Sequence, residues 1–580
     1  MSDPARRPGG LARFKDFLTG LLAAVGLLFL PFLLLGLAAV LFFPRGAPGL
    51  PDSFYLTVDL RGGLPEAPPP DPLVWLQETR PLSLDQAVLA LDAARADPRV
   101  KGVLARVGGE AGGPARVEEL RAAIARFREG GGFAHAFSDS FGEFGPGNWG
   151  YYLASAFERI TLQPSGAVGL TGVWVEVPLL RGLLDEIGVI PRLESREAYK
   201  TFKDTFTARE LTPEHRRSLE SLTDDLSRQL VDGIAAARGL EPAQVRVAID
   251  TAPLLADQAE ARGLVDRIAY LDEAEAAADA AAGTDDTVPL AVYAARAQAE
   301  MPGDGPAVAL VNAIGPIIAG EGSPGGVGGF TIGADSLSAA LRAAADDPDI
   351  KSVVLRVDSP GGSAVASDTI GREVRRLQEA GKPVLVAMGD VAASGGYWIA
   401  MDAETIHARP GTLTGSIGVV AGKPVIAPLL ENIEVNVPGL GVGANADMWS
   451  LTRDYDALGE AKLDMFLDAT YAQFVEGVAR GRGLAPDKVR EVAGGRVWTG
   501  DQARERGLVD ATDGLAGALA EARERAGIPA DGPLRIKRLP EPADPLRIAL
   551  DYLNVKVWRA MMARVVGAPG PATASVPGVR

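Results

Sequence analysis

The chain of 580 residues contains no cysteine, so disulfides, thiol nucleophiles and thiolate metal sites are excluded together. Histidine is nearly as scarce: His135, His215 and His407 are the three present, and they lie far apart in the sequence. A histidine-rich metal centre is therefore not expected. Positive charge is also in deficit, 58 Lys and Arg against 75 Asp and Glu, for a net charge of −17. A nucleic-acid binder would instead carry a basic surface to neutralise phosphates. What is present, 47% apolar and 23% charged residues, is the composition of a folding globular chain. The length suggests three or four core-sized units.

One long hydrophobic run stands out. Residues 20–43 are 24 uncharged, strongly apolar positions, about 36 Å as a helix against a hydrocarbon core of about 30 Å. Arg6, Arg7, Arg13 and Lys15 precede it, and Arg45 is the one nearby positive charge after it. The positive-inside rule then predicts residues 1–19 in the cytoplasm, a transmembrane helix over 20–43, and the main body on the far side of the membrane.

The body repeats itself. Residues 97–107 read DPRVKGVLARV and 347–357 read DPDIKSVVLRV, identical at six of eleven positions. Residues 256–266 read ADQAEARGLVD and 500–510 read GDQARERGLVD, identical at eight of eleven. The offsets, 250 and 244, preserve order and spacing, so the chain contains two copies of one unit, over 52–283 and 305–539. Within the second copy β-branched runs at 307–314, 352–357 and 383–388 alternate with helical patterns at 336–345 and 366–379. Alternation of this kind predicts an α/β fold with a mostly parallel sheet covered by helices. The proline-rich stretch 64–72 reads as a surface loop, 301–306 as a linker, and 540–580 as an extension whose end, 568–580, is disordered.

Chemistry concentrates in the second copy. SPGGS at 359–363, GDVAASGGYWIA at 389–400 and RPGTLTGSIG at 409–418 follow predicted strands. Ser394 sits between two alanines and two glycines, where a strand exits into a helix. Small neighbours admit a substrate backbone, and a helix start offers free N–H groups for an oxyanion. On ASGG alone, a serine capping an ordinary glycine-rich turn remains an alternative. His407 is 13 residues away but on a predicted strand, and nothing in the nearby sequence marks an acidic group to orient it.

Together the three motifs resemble the serine-protease core of the signal peptide peptidase A (protease IV) family, in its long, duplicated form. The resemblance spans both copies and the hydrophobic run. It implies tandem Clp-protease/crotonase-like domains and a Ser/Lys dyad with Ser394 as nucleophile. The family's lysine lies in a Tyr-Lys motif of the first copy; here REAYKTFKDTF at 196–206 puts the base at Lys200, with Lys203 the nearest competitor. Tyr199 and Phe202 are expected to wall the lysine from water. The family carries Ser-Ala-Val where this chain has Thr-Phe-Lys, so the lining beside Lys200 differs. The resemblance further implies that Ser416 orients the lysine and that the amides of Gly361 and Gly395 form the oxyanion hole, with Gly362 a substitute. No cofactor and no metal are implied.

The repeat provides an independent check. Aligning NWGYY at 148–152 with SGGYW at 394–398 places Asn148 opposite Ser394, and the offset of 244 places Ala444 opposite Lys200. Each copy keeps what the other lost. The expected activity is cleavage of spent signal peptides and similar short hydrophobic peptides by a membrane-anchored homotetramer, with its body on the periplasmic side of a bacterial inner membrane. Nucleic acid is not an expected partner. An acyl-CoA enzyme of the crotonase type and a catalytically silent membrane scaffold are the rival readings.

Overall fold

The computed structural model describes residues 49–67, 82–301, 303–324, 329–530 and 532–540. The run 20–43 and the tail 568–580 lie outside these. Among the described residues no helix is long and apolar enough to cross a membrane. From Ser53 onward the described chain is one compact unit.

Two sheets organise it, one per repeat. Across the first, the strands run Arg267–Ile268, Arg159–Leu162, Phe133–Ser138, Val100–Arg106, Phe54–Asp59 and Thr287–Pro289, all parallel. Across the second they run Val497–Thr499, Leu413–Gly415, Val384–Ala393, Ile350–Ser359, Ala307–Ile314 and Ile536–Leu539, with Thr405–His407 also beside Val384–Ala393. Only Val497–Thr499 is antiparallel to its neighbour in this sheet. Parallel strands need crossover connections, so helices cover both faces and the strand interiors become apolar throughout. Val353, Val354, Leu355 and Val357 are accordingly fully buried.

The duplication extends to single hydrogen bonds. Tyr151 donates to the Leu264 carbonyl and Tyr397 to that of Leu508, both at 2.8 Å. The amide of Ile160 donates to Asp266 at 2.7 Å and that of Ile406 to Asp510 at 2.8 Å. The edge strand Thr287–Pro289 and the helix Leu290–Ala299 carry the first unit past residue 283.

Charged groups lock the repeats together. Arg356, 1% exposed, donates twice to Glu66 at 2.9 Å, to the Met388 carbonyl at 2.9 Å and to Glu119 at 3.3 Å. Its guanidinium is held above its usual proton affinity by these two carboxylates against the opposing effect of burial. Residues 64–72 were expected at the surface. Leu64 and Glu66 are instead buried, because Glu66 neutralises Arg356. The helix Pro114–Glu129 has glycine at its N-cap, and Asp390 of the other repeat supplies the missing acceptor, 3.0 Å from the Arg116 amide. A methyl on Gly113 would strike that carboxylate. Further along, Ile190–Ser195 of the first repeat pairs antiparallel with Val420–Val425 of the second. This ribbon carries the chain onward to Lys200.

Candidate active site

Ser394 follows the central strand Val384–Ala393 and precedes the helix Gly395–Ala400. The turn between them is sharp: Ser394 has φ 55° and ψ −118°, a conformation that costs a non-glycine residue about 1–3 kcal/mol. Its backbone is clamped on both sides, the amide donating to the Gly415 carbonyl and the carbonyl accepting from the Trp398 amide, each at 2.9 Å. The SPGGS loop lies directly against this elbow. A methyl on Gly361, where φ is +99°, would come within 2.8 Å of the Ser394 Cβ and 2.6 Å of the Gly395 nitrogen. Ser363 caps the next helix, Ala364–Glu379, by accepting from the Ala366 amide at 3.3 Å.

Lys200 arrives from the other repeat. Its Nζ lies 3.0 Å from Ser394 Oγ, 3.0 Å from Ser416 Oγ and 2.9 Å from the Ser416 carbonyl. The side chain is 6% exposed, and burial alone pulls its pKa from 10.5 down to about 8. Three sequence-expected residues, Ser394, Lys200 and Ser416, therefore meet at one point, 194 and 216 residues from the lysine along the chain.

The lysine's surroundings differ from expectation. Phe202 is 62% exposed and packs edge-on against Phe206, so it does not wall the ammonium. The turn Thr201–Lys203 directs it away from the site and leaves Lys203 half-buried on the same turn. Glycine backbone lies against Lys200 instead. Gly418 lies against its Cδ, and Gly494 and Gly495 lie against Tyr199 and Lys200. The sequence reading passed over these glycines. Their legible signal was a Gly-Gly pair just before the β-run Val497–Thr499.

Of the amides expected to form an oxyanion hole, that of Gly361 donates to Ser359 Oγ at 3.2 Å. Gly362 is exposed, and its amide and that of Gly395 have no acceptor among the described residues.

His407 does have acidic partners, contrary to expectation: Asp513 at 2.6 Å and Glu521 at 3.2 Å. Both come from beyond residue 510, too distant in sequence to be read locally. These carboxylates raise its proton affinity against the opposing effect of burial. It pairs in register with Ala387, however, seven residues before Ser394 on the same strand, roughly 20 Å away at strand rise. In the first copy Asn148 occupies the serine's position and uses both ends of its amide on Gly172, at 2.8 and 3.0 Å. Among the described residues no cluster of three or more His, Asp or Glu side chains could hold a metal.

An α/β chain with a serine on a strained strand-to-helix elbow is the architecture of a hydrolase of the serine class. Residues 147–285 and 376–529 match the model of peptidase family S49, one segment in each repeat. The chain is 32% identical over 484 residues to the chloroplastic serine protease SPPA of Arabidopsis thaliana, covering 82% of this chain and 70% of that one. It is 31% identical over 463 residues to protease 4 of Salmonella typhi, covering 77% and 72%, and 30% identical over 467 residues to protease 4 of Haemophilus influenzae, covering 77% and 73%. Among solved structures it is similar to a point mutant of ClpP1 from Listeria monocytogenes, with 15% identity, TM-score 0.22, and 35% of this chain and 89% of that chain covered. The chain belongs to peptidase family S49 and is a serine peptidase.

Proposed function

We propose that Ser394 is the nucleophile and Lys200 the general base of this peptidase, with Ser416 orienting the lysine. The observation that carries this is the buried Lys200 ammonium, hydrogen-bonded to both serines and to nothing else among the described residues. With one proton lost, its two remaining N–H groups stay on the carbonyl and hydroxyl of Ser416, and its lone pair faces Ser394 Oγ. The serine proton passes to Nζ as Oγ attacks the scissile carbonyl. The lysine then protonates the leaving amine, and an acyl-enzyme remains. Water, deprotonated by the same lysine, releases the second product. The amides of Gly362 and Gly395 hold the oxyanion, and Gly361 shapes the loop that presents them. A pKa of about 8 leaves roughly a tenth of Lys200 neutral at pH 7.

The substrates we propose are cleaved signal peptides and short hydrophobic peptides, handled at the membrane by a protein anchored through residues 20–43 with its body in the periplasm. The length and charge flanks of that run support the anchor. The homotetramer is supported by an asymmetry of the repeats. Ile190–Ser195 finds its partner strand, Val420–Val425, within the chain. The counterpart segments, 173–179 in the first copy and 433–443 in the second, form no strands. They expose Trp174 and Val175 on one side and Val437, Leu440 and Val442 on the other. Unpaired apolar segments, one from each repeat, suit head-to-tail association that closes into a ring.

Mass-spectrometric mapping of a synthetic signal peptide, incubated with the wild type and with Ser394→Ala, tests the chemistry. Cuts within the hydrophobic stretch by the wild type alone are expected. Equal cutting by Ser394→Ala would place the nucleophile elsewhere.

A further inference from the structure

Lys200 is buried, and two adjoining glycines of the second repeat, Gly418 and Gly495, lie together against it. A methyl on Gly418 would lie 3.2 Å from the Lys200 Cδ and 2.9 Å from the Cα of Gly495. A methyl on Gly495 would come within 2.7 Å of the Lys200 Cα and Cβ, and closer still to its amide nitrogen. Gly495 has φ +77°, and its turn is tied to both halves of the site. The Gly495 amide donates to the Ile417 carbonyl at 2.9 Å, and the Ser416 amide donates to the Arg496 carbonyl at 2.8 Å. On the other side, the Tyr199 amide donates to the Gly494 carbonyl at 3.0 Å. The same turn thus sets the place of the lysine's backbone and that of the serine on which its ammonium rests.

We infer that Gly495, with Gly418 beside it, is a positioning residue: the two present a backbone surface that seats Lys200 against Ser394 and Ser416 and keeps water from its ammonium. This rests on the assignment of Lys200 as the base. A lysine can be dried by bulky side chains, but those have rotamers of their own. Glycine backbone against the stem has no rotamers, and a side chain at either glycine would displace it. Charged groups nearby are engaged elsewhere. Arg196 pairs with Asp464 and Asp468, and Arg496 lies over the rings of Tyr199 and Trp498. Among the described residues no opposite charge therefore opposes the drying of the ammonium, consistent with burial being the one cause of its lowered proton affinity.

The test compares Gly495→Ala, Gly418→Ala, Lys200→Ala and Gly507→Ala in the full chain. Gly507 has nearly the same backbone conformation, φ +72°, but a methyl there would find its nearest neighbour, Leu484, at 3.7 Å. It reports backbone strain without contact with the lysine. The measurements are kcat and KM on a fluorogenic peptide across pH, with circular dichroism for folding. A displacement of the base by about 1 Å costs on the order of 100-fold in rate, so Gly495→Ala should lose about that factor in kcat with KM within about twofold. Its pH–rate midpoint should move up towards the ordinary lysine value as water enters. Gly507→Ala should keep both kcat and midpoint. A folded Gly495→Ala with the wild-type midpoint and kcat overturns the inference, as does an equal loss in Gly507→Ala. If Gly495→Ala does not fold, Gly418→Ala carries the same expectation and the same refutation. Turnover retained by Lys200→Ala would instead overturn the base assignment itself, a distinct result.

Discussion

Replacing Lys200 with methionine keeps most of the side-chain volume and removes the titrating group, so it isolates what burying that ammonium does to stability. The folded pKa lies near 8, against 10.5 for an exposed lysine, a difference equivalent to about 3 kcal/mol. The sign follows from proton counting. Between about pH 8 and 10.5 the unfolded chain holds a proton on Lys200 that the folded chain has released, so wild-type stability rises with pH in that window. Below pH 8 both states are protonated, and the folded state carries the whole cost of a dehydrated charge. Lys200→Met has no such dependence. Urea unfolding of both proteins at about pH 7 and about pH 10.5 should show wild-type stability gaining on the variant by about 3 kcal/mol. Groups that titrate in both proteins cancel in the difference. A gap that stays constant between these pH values would mean that Lys200 is not dehydrated in the native state, and the account of its basicity would fail.

The pH dependence of kcat/KM should rise in a single step with a midpoint near 8 and keep that midpoint in His407→Ala; a midpoint that vanished in this variant would identify an imidazole base. Because Asp513 and Glu521 raise the proton affinity of His407, its contribution to stability is complete below pH 6.5 and fades as pH rises through the higher folded value. His407→Ala should therefore lose more stability at about pH 5.5 than at about pH 9, read from Tm. Asn148→Ser should create no second nucleophile, since Ala444 stands where a lysine would be needed; fluorophosphonate labelling should stay at one serine per chain. Arg356→Met should lower stability by about 3–5 kcal/mol by leaving Glu66 buried without its cation, while Glu119 keeps Arg409. That loss, read from urea midpoints, should shrink in acid as the Glu66 carboxyl takes up a proton.

The strands of the second copy were legible because parallel strands buried on both faces leave unbroken β-branched runs; the one expected over 307–314 is observed as Ala307–Ile314. The pairing of Ser394 with Lys200 was legible through the family resemblance, and the repeat supported it: two copies that have each lost one reactive residue point to a shared site. What escaped depends on contacts distant in sequence. Glu66 looks like part of a proline-rich surface loop until Arg356, 290 residues on, claims it. His407 lacks a local acid because its acids arrive 106 and 114 residues later. Phe202 is adjacent to the base in a sequence of aromatic and apolar letters, yet a one-turn helix points it outward. Glycine is the hardest to read, because at Gly418 and Gly495 the informative property is the absence of atoms, visible only once the lysine is in place.

The proposed location of the base in one repeat and the nucleophile in the other also orders events during synthesis. Lys200 is made early, but Ser394 follows 194 residues later, and the turn at Gly495 that seats the lysine later still. A growing chain, or one abandoned by the ribosome before about this point, holds a lysine with nothing to activate. Its competence is withheld by chain order, and released only when the last repeat closes over the first.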